Sequence, residues 1–250
     1  MGDIFTATNL VALFTLTVLE LVLGVDNVIF LAIVTQDVPT ENRDRVRRIG
    51  LALALLGRIG MVLGVTWLLG LDRALFTLLG HAFSVKDVIL LAGGLFLTYK
   101  AVTEIFRSTE LKEGDAADVI KKPTVAGMAG VIAQIVVVDM VFAIDSVLTA
   151  VGLTQKTWII IIAMTVAILA MMFYAGILAD FIEKHPSIKM LALAFLVLVG
   201  VLLIADAFGE ELNRNYVYFA ILFSLGVEAL NFRRQANLER RNAQMGPDGL

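Results

Sequence analysis

The chain has 250 residues, of which 59% are hydrophobic and 17% charged, against about 45–50% and about 25% in ordinary soluble domains. With a mean hydropathy of +0.87 it cannot cover its surface with polar groups in water, so we predict an integral membrane protein. The absence of cysteine excludes disulfides and thiolate metal sites, and the net charge of −3 gives no indication of a nucleic-acid partner.

Apolar runs long enough to cross the bilayer are the main organising feature of the sequence. A hydrocarbon core of roughly 30 Å needs about 20 residues of helix. Seven runs meet this length, at 8–34, 49–71, 86–106, 125–151, 157–181, 188–208 and 214–232. The segment 74–83 is apolar but too short to span, and is predicted to form a re-entrant or interfacial turn. The predicted fold class is therefore all-α, a polytopic membrane protein of about seven transmembrane helices.

The positions of arginine and lysine predict the orientation in the membrane. Most of the 20 basic residues fall in the connections after the first, third and fifth spans and in the tail at 233–250. Cytoplasmic loops accumulate these residues. We therefore expect the N-terminus outside, a cytoplasmic linker at 107–123 and a cytoplasmic tail. The membrane is predicted to be the plasma membrane, as in a bacterial inner membrane.

A polar motif occurs twice inside the predicted spans. The first copy is ELVLGVDN at 20–27 and the second is DMVFAIDS at 139–146. In both, a carboxylate is followed six residues later by an aspartate and then by a small polar side chain. The third and sixth predicted spans are more weakly similar around Gly94 and Gly200.

The spacing of the copies predicts two inverted repeats of three helices, at about 8–106 and 125–208, followed by a final helix at about 214–232. The second copy must be inverted because three spans is an odd number. Inverted repeats are a transporter architecture, in which the ion or substrate site lies at the repeat interface near the midplane.

The acidic residues of the motifs are candidate ligands for a cation. A carboxylate at the centre of a membrane helix costs about 2.5–3.5 kcal/mol to insert, so a partner, water, a cation or a proton must compensate it. An all-oxygen ligand set favours Mn²⁺, Mg²⁺ or Ca²⁺ over softer metals. The candidate metal ligands are Glu20, Asp26, Asn27, Asp139, Asp145 and Ser146.

Two alternatives to a cation site stay open for these acids. A single carboxylate in a span is also accounted for by an ion pair with Arg58 or Lys100 that holds helices together. A proton relay without metal is the second. The sequence assigns no definite role to four further polar residues, which are Arg58, Lys100, Asp206 and Glu228.

The two motifs, together with FSLGVEALN at 223–231, resemble the signatures of the TerC family of integral membrane proteins. The resemblance covers roughly residues 8–232 and implies a TerC-like membrane domain within 1–232. The family is named for an association with tellurite resistance, and it includes manganese exporters. The resemblance thus implies Mn(II) as the transported cation, with Ca(II) or Mg(II) as weaker candidates, and places the metal site at the six candidate ligands.

The leading functional hypothesis is a divalent cation exporter that works by alternating access and is coupled to protons. The lipid bilayer, the cation and protons are its expected partners, and no prosthetic group or oligomeric state is predicted. An intramembrane aspartyl protease built on Asp26 and Asp145 is a weak alternative, and we expect no enzyme. The remaining alternative is a non-transporting membrane scaffold or assembly factor in a stress-resistance complex, which would use the acids only for helix packing.

Overall fold

A computed structural model describes residues 6–64, 74–78, 81–110, 125–210 and 214–245. In these ranges the chain is almost entirely helical. The elements in chain order are α1 (Ala7–Leu23), α2 (Val25–Val34), α3 (Thr40–Leu63), β1 (Ala74–Leu78), β2 (His81–Ser84), α4 (Val85–Glu110), α5 (Val125–Leu153), α6 (Thr157–Lys184), α7 (Pro186–Ala207) and α8 (Arg214–Met245).

The predicted membrane character is confirmed by five candidate spans. Among the described residues, five helical segments are long and apolar enough to cross a bilayer, at Ala7–Asp37, Val85–Glu110, Gly127–Leu153, Thr157–Lys184 and Pro186–Ala207. Large apolar side chains such as Phe14, Phe173 and Ile177 are 71%, 70% and 60% exposed on the outside of the bundle. Lipid is the solvent that such a surface requires. Helices α3 and α8, which overlap the predicted spans at 49–71 and 214–232, are not in this set. The predicted number of seven spans is therefore not confirmed.

The first predicted span is two helices that meet at Gly24. The Gly24 N–H donates to the Glu20 carbonyl at 2.8 Å and the Val28 N–H donates to the Gly24 carbonyl at 3.1 Å. Both backbone groups of Gly24 therefore keep helical hydrogen bonds at the junction, as an apolar interior requires. A Cβ at Gly24 would collide with the end of the Met171 side chain on α6. Glycine at this position thus allows α6 to pack closely.

Helix α3 begins at Thr40, whereas the apolar pattern predicted a second span that starts at 49, with the arginines before it in a loop. The predicted loop was wrong for these arginines, because each has a partner when the segment is helical. Arg43 Nε donates to the Val38 carbonyl at 2.9 Å, and Arg47 Nη1 donates to the Ala175 carbonyl of α6 at 3.2 Å. The predicted end of this span, at 65–71, lies outside the described residues.

The segment predicted as a re-entrant or interfacial turn contains a short antiparallel pair, β1 with β2. The strictly all-α prediction is therefore wrong for this segment. Phe76 and Phe83 stack with ring centroids 5.4 Å apart, and Phe208, just after α7, packs edge-on against Phe83 at 5.4 Å. Cross-strand aromatic pairs of this kind stabilise a two-stranded ribbon that has few hydrogen bonds of its own.

The predicted linker and tail are partly helical. Helix α4 continues to Glu110, and the rest of the predicted linker at 107–123 lies outside the described residues. Helix α8 continues to Met245, through most of the predicted tail at 233–250. The helix that contains the final predicted span therefore continues beyond residue 232.

Helices α4 and α7 are in close contact at two glycines. A Cβ at Gly94 would lie 2.6 Å from the Gly200 carbonyl oxygen, and a Cβ at Gly200 would lie 2.9 Å from the Gly94 carbonyl oxygen. Small residues let membrane helices approach backbone to backbone. The two glycines come from the weakly similar parts of the third and sixth predicted spans, and they pack directly against each other.

Candidate functional site

The two motif copies meet inside the helix bundle, with α3 beside them. The first copy spans the end of α1 and the start of α2, and the second lies in the middle of α5. Glu20, Asn27, Asp139 and Ser146 are all buried, with 1%, 6%, 3% and 4% of their surfaces exposed. Glu20 and Asp139, which are 119 residues apart in the sequence, are thus close together in the fold.

Arg58 of α3 lies between Glu20 and Asp139, the first carboxylates of the two motifs, and is itself only 2% exposed. Its Nη1 donates to Glu20 Oε2 at 2.7 Å. Its Nε donates to Asp139 Oδ2 at 2.9 Å and its Nη2 donates to Asp139 Oδ1 at 2.8 Å. The guanidinium fork therefore binds Asp139 through both oxygens, the geometry in which arginine–carboxylate pairs are strongest.

The small polar residues of the motifs cross from one copy to the other. Asn27 Nδ2 donates to Asp139 Oδ1 at 3.1 Å. Ser146 lies against the Glu20 carboxylate, although its hydroxyl donates to the Ala143 carbonyl at 3.4 Å. Glu20 and Asp139 therefore each have the small polar residue of the other copy as a neighbour.

The cluster contains more acceptors than Arg58 and Asn27 satisfy. Glu20 Oε1 and Asn27 Oδ1 are buried and have no hydrogen-bond partner among the described residues. Buried polar atoms are rarely left in this state, because the missing bond costs about 1–3 kcal/mol. With both carboxylates ionised, the two acids and Arg58 also carry an excess negative charge. Oxygen acceptors and an excess negative charge are the properties of a cation site.

The two remaining motif aspartates do not join this cluster. Asp145 Oδ1 lies 3.2 Å from Lys86 Nζ at the start of α4, and the two side chains are 24% and 27% exposed. Asp26 is half-buried in the first turn of α2. Within the described ranges, no group of three or more His, Cys, Asp or Glu side chains is close enough to hold a metal ion. The structure thus brings together Glu20, Asp139, Asn27 and Ser146.

Two basic residues of the site had no role assigned from the sequence. Arg58 was considered only as a partner for a single acid, although it binds two. Its signal was visible, since it is an arginine flanked by apolar and glycine residues in the predicted span. Lys86 was not singled out, and nothing in its sequence context indicates a partner on α5.

A second set of ion pairs lies toward the predicted cytoplasmic ends of the helices. Lys100 Nζ of α4 lies 3.0 Å from Asp37 Oδ2, just after α2. Two further pairs join α3 to α6 and α7 to α4, and they are Arg43–Glu183 at 2.6 Å and Lys189–Glu104 at 2.9 Å. These contacts connect five helix ends at one side of the bundle.

Comparison with known proteins gives a consistent family assignment. The family model described as "Integral membrane protein TerC family" matches residues 5–243. The UPF0053 inner membrane protein YgdQ of Escherichia coli K12 is 45% identical over 223 residues, which are 89% of this chain and 92% of that protein. A UPF0053 protein of Haemophilus influenzae is 42% identical over 89% of this chain and 93% of its own length.

A longer relative shares the same region. The UPF0053 inner membrane protein YoaE of Escherichia coli K12 is 36% identical over 93% of this chain but only 44% of its own length. No solved structure matches the chain. The match of the family model over nearly the whole length, with two long alignments above 40% identity, shows that the chain belongs to the TerC family of integral membrane proteins.

Proposed function

We propose that this protein exports a divalent cation, Mn(II) in particular, across the inner membrane by alternating access. The observation that supports this proposal is the convergence of Glu20 and Asp139, one from each motif copy, on a single buried cationic group. A pair of carboxylates held this deep in a membrane protein needs a function or a partner to compensate it. Arg58 compensates only part of the charge.

The chemistry of the available ligands favours a hard cation. The cluster offers both Glu20 oxygens, both Asp139 oxygens, the Asn27 carbonyl and the Ser146 hydroxyl, with no sulfur or imidazole. Mg²⁺, Ca²⁺ and Mn²⁺ bind oxygen sets of this kind. Mn(II) is chosen among them from the resemblance to manganese exporters. Asp26 and Asp145 are then further ligands or steps on the cation path.

The packing supports the inverted-repeat architecture of the proposal. Asn27 contacts Asp139 and Ser146 lies against Glu20, so equivalent motif positions exchange neighbours as an approximate two-fold axis requires. The mutual approach of Gly94 and Gly200 has the same property. We therefore keep two three-helix repeats plus a final helix in the proposal, with the N-terminus outside and the C-terminus in the cytoplasm.

Proton coupling follows from the same carboxylates. Ionised Glu20 and Asp139 bind the cation, and protonation after its release removes the negative charge that Arg58 does not compensate, which is costly in a medium of low dielectric constant. Protons that enter from the outside would thus return the empty carrier to the inward-facing state. In this scheme metal moves outward and protons move inward.

The test is Mn²⁺ flux into or out of proteoliposomes that contain the full chain. Asp139→Asn keeps the shape of the side chain but removes the charge, and we expect it to abolish flux. Asp44→Asn makes the same chemical change at a side chain that is 73% exposed, and it should leave flux unchanged. If the wild type moves neither Mn²⁺, Ca²⁺ nor Mg²⁺ under any pH gradient, the proposed transport is wrong. If Asp139→Asn transports normally, the site is wrong.

The bonds of Arg58 to α1 and α5 also favour a second candidate, a non-transporting membrane scaffold. In that case Glu20, Asp139 and Arg58 form a structural link between helices, and removal of the acids affects stability alone. The flux assay, combined with thermal unfolding of the same variants, separates the two candidates.

A further inference from the structure

We propose that Arg58 is an internal substitute for the transported cation, which compensates part of the charge of Glu20 and Asp139 when no metal is bound and leaves them when metal binds. This inference rests on the proposed function above. It assigns a positioning role to a residue on α3, a helix that contributes none of the motif positions.

The first support is where the guanidinium lies. All three nitrogens of Arg58 donate to the two carboxylates proposed as metal ligands, at 2.7, 2.8 and 2.9 Å. The side chain is 2% exposed, so this contact is made inside the protein. A cation bound by the same two carboxylates would occupy the position that the guanidinium now holds.

The second support is the presence of buried acceptor atoms that the guanidinium does not bind. Glu20 Oε1 and Asn27 Oδ1 are buried without a hydrogen-bond partner in the described part of the chain. A permanent structural ion pair is expected to have its buried acceptors satisfied. The cluster therefore has more acceptors than Arg58 uses, which indicates that a ligand with more bonds binds there. A divalent metal takes six or more oxygens.

The third support is electrostatic. Two carboxylates balance one divalent cation, but a divalent cation beside Arg58 would leave an excess positive charge and a strong repulsion in a buried site. Metal and guanidinium therefore compete for the same two acids. The competition keeps the empty carrier free of unpaired buried carboxylates, and it weakens metal binding enough to permit release.

The experiment measures Mn²⁺ binding and Mn²⁺ flux on the full chain in lipid, for the wild type and Arg58→Gln. Binding is followed by the loss of the electron paramagnetic resonance signal of free Mn²⁺. We expect Arg58→Gln to lower the Kd by about tenfold or more, because a competing charge has been removed, and to lower the flux by about tenfold because the metal is released slowly. Tighter binding with slower transport is a combination that a purely structural role does not produce.

Arg47→Gln is the matched control. Arg47 is also buried, at 6% exposure, and lies on the same helix, but its Nη1 binds the Ala175 carbonyl and its Nη2 binds Asp44. Its substitution should change the Kd by less than about twofold, since the charge is distant from the site.

The outcomes separate this inference from the proposed function. A folded Arg58→Gln variant whose Kd is unchanged or raised overturns the inference, while transport by the wild type still supports the exporter. If Arg58→Gln does not fold, Arg58→Lys is used instead. A lysine does not reproduce the forked contact, so the Kd of Arg58→Lys for Mn²⁺ should be about threefold lower than that of the wild type. An unchanged or higher Kd overturns the inference. If no variant binds Mn²⁺, Ca²⁺ or Mg²⁺, the proposed function itself fails.

Discussion

Asn27 donates a 3.1 Å hydrogen bond to Asp139, across 112 residues of sequence and between two side chains that are both buried. The bond joins α2 to α5 and orients the carboxylate that also receives the fork of Arg58. An amide that donates to a carboxylate directs its carbonyl oxygen elsewhere, and Asn27 Oδ1 is one of the acceptors left without a partner among the described residues.

Asn27→Ala should lower the free energy of unfolding by about 1.5–3 kcal/mol, because it removes a buried hydrogen bond to a charged group. It should also weaken Mn²⁺ binding through the loss of an orienting bond and a carbonyl ligand. Asn231→Ala is the control, since Asn231 is exposed and donates only to Glu228 at 3.2 Å; its expected effect is below about 0.5 kcal/mol. Equal effects of the two substitutions in denaturant unfolding would contradict the role given to Asn27.

Arg58→Gln should destabilise the metal-free protein by about 3–5 kcal/mol, because it leaves two buried carboxylates without their partner. Saturating Mn²⁺ should restore much of this loss, so the rise in Tm on adding metal should be larger for the variant than for the wild type. The double variant Arg58→Gln with Asp139→Asn should lose less stability than the sum of its single changes. Additive losses in thermal unfolding would show that the residues do not act as a unit.

The ion pair of Lys86 and Asp145 should behave differently from that of Arg58. Both side chains are about a quarter exposed, against 1–4% for Arg58 and its two partners, so neither charge is enclosed by protein when its partner is removed. Lys86→Met should therefore change the unfolding free energy by less than about 1 kcal/mol. A loss as large as that of Arg58→Gln would mean that the pair is less accessible to water than its geometry indicates.

Gly94→Ala should destabilise the protein by about 1–3 kcal/mol, because its Cβ would meet backbone that cannot move aside. Gly130→Ala on α5 is a matched control, since a Cβ there meets nothing within 4 Å and alanine is the better helix former by about 1 kcal/mol. The two substitutions should thus move Tm in opposite directions. A stabilised Gly94→Ala variant would contradict the close approach of α4 and α7.

Of the four acids selected from the sequence, Glu20 and Asp139 lie in the buried cluster, whereas Asp26 and Asp145 do not. The identical spacing of Glu20 to Asp26 and Asp139 to Asp145 was sufficient to select the two helices that meet, because buried charge is rare enough to be informative. The role of Arg58 was not predictable in the same way. It depends on how α3 is rotated against α1 and α5, and that rotation is determined by packing between helices rather than by any local pattern.

The boundaries were predicted less well where polar residues have tertiary partners. The start of α3 was missed because Arg43 and Arg47 were treated as solvated loop charges, whereas both bind backbone carbonyls. The hairpin of β1 and β2 was missed because a mostly apolar segment of ten residues does not distinguish a turn from a short strand pair. In each case one of these residues also has a partner distant in sequence, Ala175 for Arg47 and Phe208 for Phe83, which no local pattern contains.

The glycine contact between α4 and α7 restricts how the bundle can move. One helix comes from the first predicted repeat and the other from the second, and they are in backbone contact at Gly94 and Gly200. Lys189 and Glu104 connect the same two helices again, 2.9 Å apart. Helices held at two points along their length move as one rigid unit. A rearrangement that keeps these contacts cannot separate the first half of the chain from the second, because the body that contains α4 and α7 includes helices from both halves.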